Sequence, residues 1–511
     1  MSIGSYDVVV IGSGAGGGSL LQRLAPTGKR ILVLERGDFL PREKRNWDVE
    51  AVALGGCYDA GERWRDAAGR AFAPGVKYVV GGNTKVWGAA MLRMRPSDFG
   101  AVRHAGGTSP AWPISYAELE PYYTEAEQLW RVRGLRGADP TEGPASAPYA
   151  HAPVRHEPRV ERLVRDFARA GARAWPLPLA IARDDGDPRS ACIRCDTCDG
   201  FPCLVRGKSD AETICVLPAL AHPNVTLLTG ARALRLETDA RGRSVTGVAF
   251  ERGGALEFAR GDVVVVACGA VNSAALLLRS ANARWPHGLA NGSDLVGRHY
   301  MCHQNSAVFA LSRHENHSVL QKTFGISDWY HASDDWELPM GLVQPLNRTS
   351  ALQLAAQPPG IDGYSAEYLA THSLEFWLTS EDLPARDNRV RLDRDGRIVL
   401  AYAPNNVEAH ARLTRRLATL LADVEGDGFD PDKHYRATRM PIEVCSHQCG
   451  TLRFGEGAAT SVLDRDCRAH GLDNLYAVDA SCFPSSAAVN PTLTIVANAL
   501  RVADRLKERL G

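Results

Sequence analysis

Residues 6–11, Tyr-Asp-Val-Val-Val-Ile, run straight into Gly12-Ser13-Gly14-Ala15-Gly16-Gly17. An unbroken β-branched run is what a strand buried on both faces of a parallel sheet requires. Ser19 to Ala25 then reads as an amphipathic helix, and Arg30-Ile-Leu-Val-Leu-Glu35 as a second strand ending on an acid. Gly12 permits the tight turn, Gly14 lets backbone approach a pyrophosphate, and Gly17 lets helix and strand pack closely. The helix N-terminus offers free N–H groups and a positive dipole end to phosphates. Glu35, eighteen residues after Gly17, is placed to accept from a ribose hydroxyl. A merely structural glycine turn would not need that acid. The opening is therefore a dinucleotide-binding βαβ unit, and the chain is expected to be α/β.

Bulk properties exclude several classes. At 511 residues the chain is long enough for two domains with a large core. Lys+Arg and Asp+Glu are both 59, and the basic residues are scattered, so no nucleic-acid partner is expected. No apolar run reaches the length of a membrane span. The N-terminus enters a strand at once, without a secretion signal, so a cytoplasmic protein is expected. Most of the twelve cysteines are accordingly read as reduced and buried.

Further along, Tyr78-Val-Val-Gly81-Gly82-Asn83-Thr84-Lys85-Val86-Trp87-Gly88 pairs glycines before a polar pair, which lets backbone approach a flat ligand. Ser115, three residues before Glu118, marks a capped helix start. Residues 135–158 look like a surface excursion. Cys192, Cys195, Cys198 and Cys203 have a C-x2-C-x2-C-x4-C spacing. It resembles an iron–sulfur or zinc spacing, but thiols packed in a tight loop or paired as disulfides are the favoured reading, and no metal is assigned. Residues 225–229 and 233–237 read as strands, 244–250 and 256–260 as a meander turning at Gly253-Gly254, and 262–267 as another buried parallel strand before Cys268-Gly269 and a helix. From about 305 to 440 alternating segments suggest an antiparallel sheet, with a hairpin turning at 395–396 and a helix over 409–423. Residues 345–365 form the longest loop candidate, a possible lid. In the C-terminal stretch, His447 stands in Ser-His-Gln-Cys-Gly-Thr and Asn490 in Asn-Pro-Thr-Leu-Thr, with a strand-like run to Asp479 between them.

In this order, VVVIGSGAGGG with Glu35, GGNTKVWG, SYAELEPYY, VVVACGAVNSAALLL and HQCGT…NLYAVDASCFPSSAAVNPTLT resemble the glucose–methanol–choline oxidoreductases over nearly the full length. The resemblance implies FAD as cofactor, and a discontinuous Rossmann-like FAD-binding domain over 1–125, 190–304 and 441–511. A substrate domain with an antiparallel sheet would fill 126–189 and 305–440. It places the pyrophosphate at Gly12, Gly14, Ala15 and Gly17, with Glu35 and Arg36 beside the adenosine ribose and Ala233 at adenine. Gly82, Asn83, Thr84, Trp87 and Gly88 would lie at the isoalloxazine. Cys268, Gly269, Asp479 and Ala480 would serve the ribityl and pyrophosphate part, and Asn490, Pro491 and Thr492 the flavin edge. Some sugar-oxidising relatives attach FAD through a histidine just before the tryptophan of the second block. Val86 stands there and cannot form that bond, so noncovalent FAD is expected.

His447 occupies the family's catalytic histidine position, and Asn490 the position of its partner. A neutral imidazole suits removal of a hydroxyl proton near neutral pH. An amide can orient the alcohol but cannot take the proton, so base work falls to His447. His299 and His303 are further candidates to line the cavity. The implied activity is oxidation of an alcohol by hydride transfer to flavin N5, a sugar or glycoside hydroxyl being favoured because the NPTLT segment is most like pyranose and glycoside oxidases. The alternatives are a dehydrogenase of a non-sugar alcohol and a flavin-containing lyase of the same family. O2, a dye, a quinone or a protein would take the electrons.

Overall fold

The computed structural model describes residues 2–511. Its larger sheet has seven strands. Val225–Leu228, Ile31–Leu34, Ser2–Ile11 and Ala255–Val266 lie side by side and parallel. Ala255–Val266 is the hub. Its first half pairs antiparallel with Val245–Arg252, which pairs with Arg232–Thr238. Its last residues pair parallel with Leu475–Ala477. Sequence reading splits this segment into two strands, 256–260 and 262–267; the structure makes it one strand of 12 residues. The reason is Gly261: it stays in register opposite Tyr6 and continues the ladder instead of turning it.

Val8, Val9, Val10 and Val263 to Val266 are essentially inaccessible, as a doubly covered parallel strand demands. Each such side chain contributes about 1.5–3 kcal/mol of burial free energy. The covering layer includes helix Ala15–Leu24, which packs on the C-terminal helix Thr492–Leu510. Arg23 clamps that pair through Asp504 at 2.9 Å. Helix Tyr116–Leu129 packs on the same C-terminal helix and opens on a capping box between Ser115 and Glu118.

The second sheet has six strands, in the order Tyr435–Arg439, Gln304–Leu311, Ser373–Ser380, Leu342–Pro345, Phe324–Ile326, Ala174–Pro176, all antiparallel. Helices Pro158–Arg169 and Val407–Glu425 back one face, closing a core with Val308, Val343, Phe376 and Leu378. The opposite face carries Asn305, Ala307, Gln344, Trp377 and Thr379, because alternate residues along a strand point to opposite faces.

Two expectations for this region change. The hairpin Arg389–Leu392/Ile398–Ala401 does form, but it joins Trp64–Asp66 and Ala71–Phe72 in a separate four-stranded sheet. Residues 345–365 are not one open loop. Ser350 caps a short helix, Ala351–Ala356, whose Leu354 is buried with Phe309 and Leu311.

Five of the six strands fall within residues 304–439, and the chain enters and leaves that stretch at one place. Met301-Cys302 pairs antiparallel with Gln448-Cys449, and Cys302 is disulfide-bonded to Cys445 across 143 residues of sequence. The other ten cysteines are free, including Cys192, Cys195, Cys198 and Cys203. No helix among the described residues is long and apolar enough to cross a membrane.

Candidate active site

The glycine turn is built as a cradle. Gly12 has φ +100°, where a side chain is strained, and a Cβ there would meet Ala267 O at 2.3 Å. A Cβ on Gly16 would strike Val478 O at 2.0 Å, and one on Gly17 would strike Gly12 O at 2.1 Å. Protein atoms fill these three positions. Gly14 is different: nothing lies within 4 Å of its Cβ position, and it N-caps the first helix without a side chain to occupy the free N–H groups. Open space over the N-terminus of a helix fits a pyrophosphate. Ala15 opens that helix and is half-buried.

Glu35 is buried at the end of the second strand. Its Oε2 accepts from Ser13 N at 3.0 Å and from Ser13 Oγ at 2.7 Å, and its Oε1 accepts from Gly37 N at 2.9 Å. Its carboxyl is pushed above the usual range by burial. Its first duty here is thus to pin the glycine turn, a role that motif spacing does not reveal. Arg36 lies over the Tyr78 ring at 3.6 Å and bonds Glu62 at 3.2 Å. Ala233 sits half-buried on its strand opposite Phe250.

The 81–88 segment reaches the same cradle. Gly81 N donates to Ser13 Oγ at 3.1 Å, and a Cβ on Gly82 would lie 3.4 Å from Gly14 Cα. Asn83 fastens its own loop, accepting from Lys77 N at 2.8 Å and donating to Gly75 O at 3.2 Å. Thr84 Oγ accepts from Ala211 N at 3.0 Å, and Trp87 Nε1 donates to Ser209 O at 3.0 Å. A Cβ on Gly88 would stand 1.9 Å from Lys322 Nζ, so a side chain there would displace the Lys322–Asp199 pair. The cysteine loop lies against this segment. Gly200 N donates to Val86 O at 3.0 Å, and Lys208 Nζ donates to the carbonyls of Trp87 and Cys198, each at 2.7 Å. Among the described residues no group of three or more His, Cys, Asp or Glu side chains is arranged to hold a metal.

The second glycine turn meets the C-terminal segment. Gly269 has φ +83° and open space at its Cβ position. Asp479 Oδ2 accepts from Gly269 N at 2.9 Å and from Ser273 Oγ at 2.5 Å, while its Oδ1 accepts from Ser481 N at 2.8 Å. Asp479 and Ala480 are buried, and the acid holds the start of helix Ala270–Arg279. Burial pushes the Cys268 thiol up to about 12, and its Sγ donates to Ile11 O at 3.4 Å.

His447 does not stand alone. Its Nδ1 lies 3.0 Å from Nδ1 of His303, and the rings meet edge to face, 5.0 Å between centroids. His303 Nε2 lies 3.0 Å from Ser486 O. A carbonyl only accepts, so His303 Nε2 carries the hydrogen. Burial lowers the pKa of His303 and keeps it neutral, so its Nδ1 is bare. The Nδ1–Nδ1 contact then requires His447 to be the donor. That leaves the lone pair of His447 on Nε2. Burial, with His303 beside it, pushes the His447 pKa down to about 3, so this ring too is neutral.

Asn490 comes from the same 486–492 segment that anchors His303. Its Oδ1 accepts from Gln344 Nε2 at 3.2 Å, which leaves Nδ2 as the donor. Pro491 and Thr492 follow, Pro491 N-capping the C-terminal helix. Sequence reading weighs His303 only as a cavity-lining residue and misses Gln344 and Ser486. The Gln inside Leu-Val-Gln-Pro, a polar residue in an apolar strand, was the available signal. His299 is held elsewhere, its Nδ1 3.0 Å from Pro384 O.

Comparison with known proteins agrees with this architecture. Models of the GMC oxidoreductase family match residues 7–305 and 384–499. Paromamine 6'-oxidase of Streptomyces fradiae is 33% identical, over 98% of this chain and 90% of its own. 6'''-Hydroxyparomomycin C oxidase of Streptomyces lividus is 33% identical, over 99% and 92%. Among solved structures, pyridoxine 4-oxidase from Mesorbium loti superposes with a TM-score of 0.68 at 20% identity, covering 98% of this chain and 99% of that one. The chain belongs to the GMC oxidoreductase family, FAD-binding enzymes that act on CH–OH groups.

Proposed function

We propose that this protein oxidises an alcohol group on a sugar-like or glycoside substrate, with His447 as the base and Asn490 as the group that orients the alcohol. Bound FAD supplies the hydride acceptor. Gly12, Gly14, Ala15 and Gly17 hold its pyrophosphate, with Gly269, Asp479 and Ala480 completing the cradle. With Val86 at the segment that could carry a linking histidine, FAD is held noncovalently. Acid precipitation therefore releases all of the flavin to the supernatant; flavin retained in the pellet contradicts this.

The observation that carries the reading is the His303–His447 pair. It leaves the bare nitrogen of His447 on Nε2, ready to take a proton. As the carbon loses its hydride, the hydroxyl proton passes to that nitrogen. Asn490 donates from Nδ2 to the alcohol oxygen, because Gln344 occupies Oδ1. A neutral amide accepts no proton, so the pair divides the work without overlap. The six-stranded sheet forms the substrate side, since Gln344 reaches Asn490 from its open face. The two Streptomyces relatives, oxidases of paromamine and of 6'''-hydroxyparomomycin C, support a hydroxyl on a glycoside. Anaerobic mixing with sugars, glycosides and simple alcohols tests the reading. Flavin bleaching by at least one alcohol is expected, and bleaching by none would overturn it.

A further inference from the structure

The open face of the six-stranded sheet and the chain just beyond its Leu342–Pro345 strand hold polar atoms that the protein itself does not satisfy. Gln344 Oε1, Asn347 Nδ2 and Asn347 Oδ1 are buried without a hydrogen-bond partner. Both residues are more than nine-tenths buried, at 3% and 8% exposure. Leaving a buried amide unpaired costs about 1–3 kcal/mol, so such groups are normally matched by something. These sit beside the reaction centre. Gln344 Nε2 bonds Asn490 Oδ1 at 3.2 Å. Asn347 N donates to Asp199 Oδ2 at 3.1 Å, and Asp199 pairs with Lys322 against Gly88. The unmatched amides thus lie between the Asn490 edge and the Gly88 edge.

Trp377 stands directly across from Gln344 on the neighbouring strand, on the same face, and is only half-buried. Its other cross-strand neighbour is Ala307, a side chain too small to cover the indole. A large aromatic face left partly open next to unmatched amides is the pattern of a ligand surface.

We infer that Trp377, Gln344 and Asn347 form a carbohydrate-reading face, on which a sugar ring stacks on the indole and a pair of its hydroxyls bonds the two amides. This deepens the function proposed above and rests on it. A hydroxyl both donates and accepts. Two free amide oxygens and one free amide nitrogen therefore match a pair of hydroxyls better than they match a lone alkyl alcohol or a carboxylate. The acids at this edge are already engaged, Asp199 with Lys322 and Glu375 with Thr349, so the face reads hydroxyls and not charge.

The test compares Asn347→Leu and Trp377→Ala with the wild-type holoenzyme. Anaerobic flavin reduction is followed with methyl β-D-glucopyranoside, 2-amino-2-deoxyglucose and cyclohexanol, and sugar binding is measured by calorimetry. A merely structural role would depress every substrate together. The expected result is a selective loss: sugar specificity (rate over Kd) falls at least about tenfold relative to cyclohexanol in each variant, as loss of a paired hydroxyl or a stacked ring implies. Calorimetry should show the same weakening. An unchanged ratio overturns the inference. So does a wild-type enzyme that bleaches with cyclohexanol and with neither sugar, which would leave alcohol oxidation standing. No bleaching by any alcohol would overturn both readings.

Discussion

His447 is held neutral with one ring nitrogen bare, as the base role proposed for it requires. Its lone pair is fixed on Nε2 by a relay that ends at a backbone carbonyl, Ser486 O. An isolated histidine loses half its base form near pH 6.5. Here burial lowers the pKa to about 3, so the neutral form persists as pH falls. The rate of anaerobic flavin reduction should therefore hold steady from pH 8 down to about 5, with any acid limb below that. An acid limb near 6.5 would contradict the neutral, buried pair. The sequence motif made His447 legible, because its neighbours are specific. It left His303 obscure, because that role depends on a contact across 144 residues and on a tautomer. Glu35 shows the same limit. Its position was legible, but its bonds to Ser13 and Gly37 were not, since motif spacing says nothing of which lone pairs are taken.

Among the elements, the glycine turn makes a sharper test than the motif itself. Gly14→Ala adds a methyl group to open space at an N-cap, so stability should fall by only about 0.5–1 kcal/mol. That methyl occupies the space read as the pyrophosphate site, so FAD affinity should fall. Gly16→Ala forces a methyl to 2.0 Å from Val478 O, so the first helix must move from the C-terminal segment. It should lower stability by about 1–3 kcal/mol even without FAD. Thermal melts of apo and holo protein, with flavin titration, separate the two. Equal loss of stability in both variants would contradict the division. The βαβ unit was legible because its valine run and glycines both depend on local geometry. The 12-residue hub strand was not, because Gly261 reads locally as a break and only its register against Tyr6 shows otherwise. The 395–396 hairpin was legible as a hairpin, but not its sheet, which is set by a partner more than 300 residues earlier.

Across the whole molecule, two layers meet at one neck. Five of the six strands of the second sheet lie between Cys302 and Cys445, and the disulfide between them sits next to His303 and two residues before His447. Removing it with Cys302→Ser and Cys445→Ser should cost about 2–4 kcal/mol. It should also slow flavin reduction, because both histidines lose a shared anchor. Melts and anaerobic rates check this; unchanged values of both would show the bridge to be idle. In the proposed mechanism a cofactor cradle from the first residues works with a base from the last. His447→Ala tests it most directly, under anaerobic mixing with the best alcohol of the panel. Full FAD content is expected, with a reduction rate lower by about 10²–10⁴-fold. Full FAD content with an unchanged rate would contradict it.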